Sequence, residues 1–235
     1  QENWPEALKA FRAAAEIDPE MSTAWFSISV TECEMNGGKP CEAEYAPLVR
    51  CIQVDPKYAE AHNNLGLVQQ FALKKYPEAE ESFRECIRLN PKHAPAHNNL
   101  GNLLRTARKN YPEAEKHLRL AIRHDPKHAN AHFNLGDLLD EREDDAGAEK
   151  HYRQAIKLDP EDAQTRNRLE ALLLKQREAS EQAKRVADSL LAEEEAKAAP
   201  TKPGKSARKK AAQRQKKESK AETQQRRAKQ AEDEQ

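Results

Sequence analysis

The chain has little of what a catalytic globule is built from. Aromatic residues make up 5% of its 235 residues and hydrophobic residues 37%, against 34% charged. That is a thin core for a globule, although an array of helices needs only a narrow buried seam. No run of about 18 apolar residues occurs, so no membrane contact is expected in this segment, and there is no signal-peptide pattern. The His-Glu-x-x-His motif, the Gly-rich phosphate loop and a Ser/His/Asp constellation are all missing. The chain is therefore expected not to be an enzyme and to need no cofactor. Its four cysteines, Cys33, Cys41, Cys51 and Cys86, show no CxxC pairing. Cys51 and Cys86 each sit five residues before a proline, in a slot that Ala14, Ala121 and Ala155 fill elsewhere. A small buried residue suits that slot, and free Cys packs as a small hydrophobe. Structural thiols in a reducing compartment, cytoplasmic or nuclear, are expected rather than a metal site.

The formal net charge of zero conceals two halves: residues 197–235 carry +8 and residues 1–196 carry −8. An acidic body is joined to a basic tail. The chain opens Gln1-Glu2-Asn3-Trp4 without an initiator Met, inside a repeated unit, so a fragment of a longer protein is expected.

What is present is repetition. AHNNLGLVQQ at 61–70, AHNNLGNLLR at 96–105 and AHFNLGDLLD at 131–140 are near copies set 35 residues apart. Prolines at 19, 56, 91, 126 and 160 mark the period, with spacings of 37, 35, 35 and 34. After each proline comes an apolar pattern of helical period, as in Ala61, Leu65, Val68 and Ala72. Tyr76-Pro77-Glu78 and Tyr111-Pro112-Glu113 open a second helix, with Pro in its first turn and acid beside the positive end of the dipole. Phe83 and Ile87, Leu118 and Ile122, and Tyr152 and Ile156 form that helix's inner stripe. Two helices per period of this length, each unit burying its face on the next, describe a solenoid with a long binding surface.

These blocks resemble the tetratricopeptide repeat (TPR) family. Leu65, Leu100 and Leu135 stand in its leucine slot, and Gly66, Gly101 and Gly136 follow where helices approach closely. Ala79, Ala114 and Ala148 occupy the small slot of the second helix, and Phe83, Leu118 and Tyr152 the large one. The resemblance implies an all-α, right-handed TPR α-solenoid over 1–175. It begins with a partial first repeat at 1–19, in which Ala7, Phe11 and Ala14 hold second-helix slots. Repeats follow at 20–56, 57–91, 92–126 and 127–160, then a capping helix from 161. Residues 176–196 read as a charged helical extension of that helix. Residues 197–235 read as a basic low-complexity tail, interrupted by Pro200 and Pro203 and expected to be disordered. The family's Trp slot holds His62, His97 and His132. The repeat after Pro19 keeps Trp25 but has Ser29 for Gly and an insertion at Gly37-Gly38-Lys39-Pro40.

Four constellations are candidates for function. Asn64, Asn99 and Asn134 sit eight residues past successive prolines. A carboxamide both donates and accepts, so a series of them suits the backbone of an extended peptide. The arrangement is similar to the asparagine-lined groove of O-linked N-acetylglucosamine transferase arrays. The resemblance implies a concave groove lined by these three with Asn63, Asn98, Asn102, Arg105 and Asp137. A clamp for the acidic C-termini of chaperones needs cations, yet its positions hold Phe26 or Asn63, Asn99, Asn130 and Asn134. The pairs His93/His97 and His128/His132 have i,i+4 spacing but no third ligand, and packing is expected of them. Finally, Lys205, Arg208, Lys209, Lys210, Arg214, Lys216 and Lys217 offer polyanion or nucleic-acid contact without aromatic side chains for base stacking. The expected role is a scaffold or adaptor for a protein or peptide partner. The alternatives are the substrate-recognition arm of a larger glycosyltransferase, whose catalytic domain lies upstream, and a ribonucleoprotein-associated adaptor working through the tail. Oligomeric state is not legible in the sequence.

Overall fold

The computed structural model describes residues 3–198 together with Lys209, Gln213, Gln215 and Lys216. It divides into two units, Gln1–Gln176 and Arg177–Gln235. Most of the first unit is helical: α1 (Trp4–Ile17), α2 (Ser22–Met35), α3 (Tyr45–Val54), α4 (Ala59–Leu67), α5 (Tyr76–Leu89), α6 (Ala94–Thr106), α7 (Tyr111–His124), α8 (Ala129–Glu141), α9 (Asp145–Leu158) and the start of α10 (Ala163–Ala198). No strand occurs among the described residues.

Local chemistry sets the helix boundaries. At every Asp/Asn-Pro step the side-chain oxygen accepts the N–H two residues on: Asp18 from Glu20, Asp55 from Lys57, Asn90 from Lys92, Asp125 from Lys127 and Asp159 from Glu161, at 3.0–3.2 Å. The side chain mimics a backbone turn, and the proline then blocks continuation of the helix. The second helices start on a side-chain cap in two repeats. Asn110 accepts the Glu113 N–H, and Asp144 accepts the Gly147 N–H.

Helices pack in sequence order, α4 on α5, α6 on α7 and α8 on α9, and each pair packs on the next. The first helices also touch across repeats, α4 to α6 and α6 to α8. The core runs as a seam between the pairs, through Phe83, Leu100, Leu103, Leu118, Leu135, Leu138 and Tyr152, all at most 1% exposed. Close approach of the paired helices depends on glycine. A Cβ on Gly66 would lie 2.6 Å from Phe83 Cε1, one on Gly101 2.7 Å from Leu118 Cγ, and one on Gly136 2.8 Å from Tyr152 Cδ1. Ser29, which replaces this glycine in the repeat after Pro19, is fully buried, and its hydroxyl donates back to the Phe26 carbonyl at 2.7 Å. The insertion there forms a turn with Gly37 and Gly38 at φ of 70° and 71°. In α1, Leu8 and Ala15 are buried, whereas Ala7, Phe11 and Ala14 are half-buried.

The four Trp-type slots make the same hydrogen bond. Trp25 Nε1 donates to the Pro19 carbonyl at 2.9 Å. His62, His97 and His132 place Nε2 at 3.0, 3.1 and 3.3 Å from the carbonyls of Pro56, Pro91 and Pro126. Histidine can replace tryptophan here because both present a ring N–H to the proline carbonyl. The other ring nitrogen then serves as an acceptor. His97 Nδ1 meets His117 Nδ1 at 2.9 Å, and His132 Nδ1 meets His151 Nδ1 at 3.1 Å.

In α10, Leu172 is buried and Leu169 packs against the core of the last repeat. Lys175 Nζ reaches Asp145 of α9 at 3.0 Å. In the second unit Arg177 pairs with Glu181 at 3.1 Å, and Val186, Leu190 and Leu191 are exposed. Lys209 and Lys216 are helical and exposed. Lys205, Arg208, Lys210, Arg214 and Lys217, and the expectation of a disordered tail, lie outside the described residues.

Candidate functional site

Five asparagines from three successive repeats form one directional chain. Asn134 Nδ2 donates to Asn98 Oδ1 at 2.8 Å, and Asn98 Nδ2 donates to Asn99 Oδ1 at 3.2 Å. Asn99 Nδ2 donates to Asn63 Oδ1 at 3.0 Å, and Asn63 Nδ2 donates to Asn64 Oδ1 at 3.2 Å. The relay thus runs from α8 through α6 to α4. By these bonds each of the three interior amides spends one N–H and one oxygen lone pair, and a carboxamide has two of each. Asn63, Asn98 and Asn134 are 6–7% exposed, and Asn64 and Asn99 are half-buried.

The relay borders a trough of about 550 Å³. Asn98, Asn99, Asn102, Asn130 and Asn134 form its polar wall, Phe71 and Phe133 its apolar one, and Asp159, Glu161 and Asp162 its acidic end. No Lys, Arg or His lines it. Asp162 is held below the usual carboxylate range, first by a hydrogen bond from the Thr165 hydroxyl, so it is charged at neutral pH. Asn63 and Asn64 lie at the far end of the relay and do not line this trough.

Arg105 and Asp137 are occupied with each other. The Arg105 guanidinium lies 3.2 Å from Asp137 and 2.5 Å from Glu141, and also donates to Asn102 Oδ1 at 3.1 Å. Asp137 additionally accepts from the Tyr152 hydroxyl at 2.9 Å. Both charged groups are under 10% exposed. Burial pushes the Asp137 carboxyl up, and Arg105, the Tyr152 hydrogen bond and Arg168 oppose that push. Such a pair ties α6 to α8 and would be costly to break by removing one partner.

Phe71, Phe133 and Gln70 escaped the reading of the sequence. The signal available was a comparison of slots: Phe71 stands where the next two repeats have Thr106 and Glu141, so an exposed aromatic replaces a polar residue. Its presentation depends on backbone geometry that no pattern showed. After Leu67 the helix widens into a π-turn over Val68–Ala72, closed by the Leu73 N–H on the Val68 carbonyl at 3.0 Å. The α-helical face expected through Ala72 therefore ends one turn early.

The repeat geometry and the groove define an α-solenoid of paired helices, and comparison with known proteins gives its class. The tetratricopeptide repeat family matches residues 70–123 and 100–163. Among solved structures, the chain is similar to MamA at 20% identity and a TM-score of 0.56, over 68% of this chain and 91% of that one. It is similar to PilF of Pseudomonas aeruginosa at 24% identity and a TM-score of 0.59, over 67% and 69%. It is also similar to YrrB, described as a TPR protein with an unusual peptide-binding site, at 19% identity and a TM-score of 0.54, over 70% and 82%. No curated protein matches the chain. The chain carries tetratricopeptide repeats and folds as a TPR solenoid. The general role of that fold is protein interaction.

Proposed function

We propose that the chain is a non-catalytic scaffold that holds an extended segment of a partner protein along the asparagine relay of α4, α6 and α8 and the trough that the relay borders. The observation that carries this reading is the asparagine relay. Amides that are already aligned by their neighbours and keep donor and acceptor capacity can pair with peptide N–H and C=O groups at little ordering cost. Because such pairing reads no side chain, it suits a variety of extended sequences. Four unpaired thiols, two of them fully buried, support a reducing compartment, cytoplasmic or nuclear.

The test is affinity for peptides selected from a displayed random library on the intact chain. Alanine at Asn64, Asn99 and Asn134 together should weaken the selected peptides by roughly 10- to 100-fold, as two or three lost hydrogen bonds imply. Thermal unfolding would confirm that the variant stays folded. Peptides held within about twofold by a folded triple variant would refute the reading.

A further inference from the structure

The acidic end of the trough lies at the entry to α10, where Asp159, Glu161 and Asp162 line it without a cation. Acids close by in the chain are matched: Arg105 takes Asp137 and Glu141, and Lys175 takes Asp140 and Asp145. The three at the trough make no ion pair among the described residues. Arg166 beside them donates to the Glu161 backbone carbonyl at 3.5 Å and does not line the trough. Two of the carboxylates also cap the local backbone. Asp159 accepts the Glu161 N–H, and Asp162 accepts the Gln164 N–H and the Thr165 hydroxyl. A carboxylate has about four lone-pair sites, so these caps leave acceptor capacity over.

A second acceptor at this end is independent of charge. Asn134, on α8, is the last rung of the relay before α10 and is 7% exposed. Its Nδ2 donates to Asn98, but its Oδ1 accepts from no donor among the described residues. That oxygen is not closed off from solvent, and Asn134 lines the trough. In the free chain it is left to water, and the N–H of a ligand can take it.

Resting on the proposed peptide groove, we infer that the trough takes a segment carrying a lysine or arginine, seated at the end formed by Asn134, Asp159, Glu161 and Asp162. These side chains are cationic and donate without accepting, which matches a lining of spare acceptors and unpaired carboxylates. Phe71 and Phe133, the apolar wall, cover the aliphatic stem. A glutamine could donate to Asn134 but brings no charge to the carboxylates, and an acidic residue meets repulsion there. The relay holds the backbone, and the acidic end fixes the register.

The experiment uses the full chain and peptides selected from a displayed random library, labelled for fluorescence anisotropy. Selected sequences should carry Lys or Arg at one position, and changing it to Gln should weaken binding roughly five- to tenfold at low salt. Glu161→Gln with Asp162→Asn keeps side-chain oxygens for the caps and should bind the basic and Gln peptides within about twofold of each other. Glu34→Gln with Glu81→Gln removes the same charge from exposed positions outside the trough and should keep the preference. Thermal unfolding would confirm that both variants stay folded. Selection without basic enrichment, or a preference that survives the first pair, overturns the inference. So does a preference lost equally in the second pair, which would reflect net charge alone. Peptides that depend on Asn64, Asn99 and Asn134 but carry no basic residue would sink the acidic subsite and leave the groove standing. A library that yields no groove-dependent binder sinks both.

Discussion

Acid should loosen the array through its paired histidines, in a pH window that the structure defines. In the pair His97–His117 the Pro91 carbonyl takes the His97 Nε2 proton, so His97 Nδ1 accepts and His117 Nδ1 donates. His132–His151 repeats the arrangement against Pro126. A proton added at Nδ1 of His97 or His132 turns an acceptor into a donor facing a donor, and one added at Nε2 of His117 or His151 places a cation in a seam with little solvent. Burial, then the partner ring, holds His117 down from 6.5 to about 4, and His151 likewise to about 4. His97 and His132 are lowered as well, chiefly by burial. Glu113 opposes the shift at His117 while Arg84 and Lys116 reinforce it. At His151, Asp144 opposes it while Lys150 and Arg119 reinforce it.

The sign follows from proton counting. Between pH 6.5 and 4 the unfolded chain binds protons that the folded chain refuses, so stability is intact above pH 6.5, falls as pH drops and levels off below 4. For His117, which is 9% exposed, the loss by pH 4.5 is about 2–3 kcal/mol. His151 is half-buried and contributes less. Glu44 and Asp137, both pushed up first by burial, act with the opposite sign as the solution is acidified. A variant that lacks the second histidines separates the two effects. Ser82 occupies the equivalent position one repeat earlier and is buried there, so His117→Ser with His151→Ser copies a residue that the fold already accommodates. Urea unfolding followed by circular dichroism at pH 7 and pH 4.5 would measure the drop in each chain. The drop should shrink by about 3 kcal/mol in the double variant. An unchanged drop would refute the assignment of acid sensitivity to these pairs.

Two further outcomes follow from the packing. Gly101→Ala should destabilise the array by about 1–2 kcal/mol, because the new methyl would sit 2.7 Å from Leu118 Cγ and 3.1 Å from the Ala114 carbonyl, outweighing its better helix propensity. Thermal denaturation would show this, and a raised midpoint would contradict the close-approach argument. Cys51 and Cys86, fully buried and pushed up by burial to about 11 and about 12, should react with a thiol reagent only when the chain opens, while Cys33 and Cys41, half-exposed, should react first. Mass spectrometry of partially alkylated protein would order them, and early labelling of Cys86 would contradict the packing.

The sequence by itself determined the repeat and its punctuation. The Asp/Asn-Pro steps stop helices by a bond that spans two residues, and the glycine, alanine and large-residue slots recur because each unit must meet its neighbour in the same way. Such information is local, or repeated at a fixed interval, and can be read from the letters. The asparagine ladder was legible as a column of equivalent positions, since side chains at equal offsets share a face. Its working was not. That Asn98 and Asn63 join the column into one relay depends on the distance between helices in different repeats. Only tertiary packing paired Arg105 with Asp137 and set His97 against His117, residues drawn together from separate helices. The widened turn at Val68–Ala72 is likewise a tertiary outcome. Periodicity alone continues the α-helical face to Ala72, and it is the packed chain that turns Phe71 into the trough and leaves Gln70 Oε1 without a donor among the described residues.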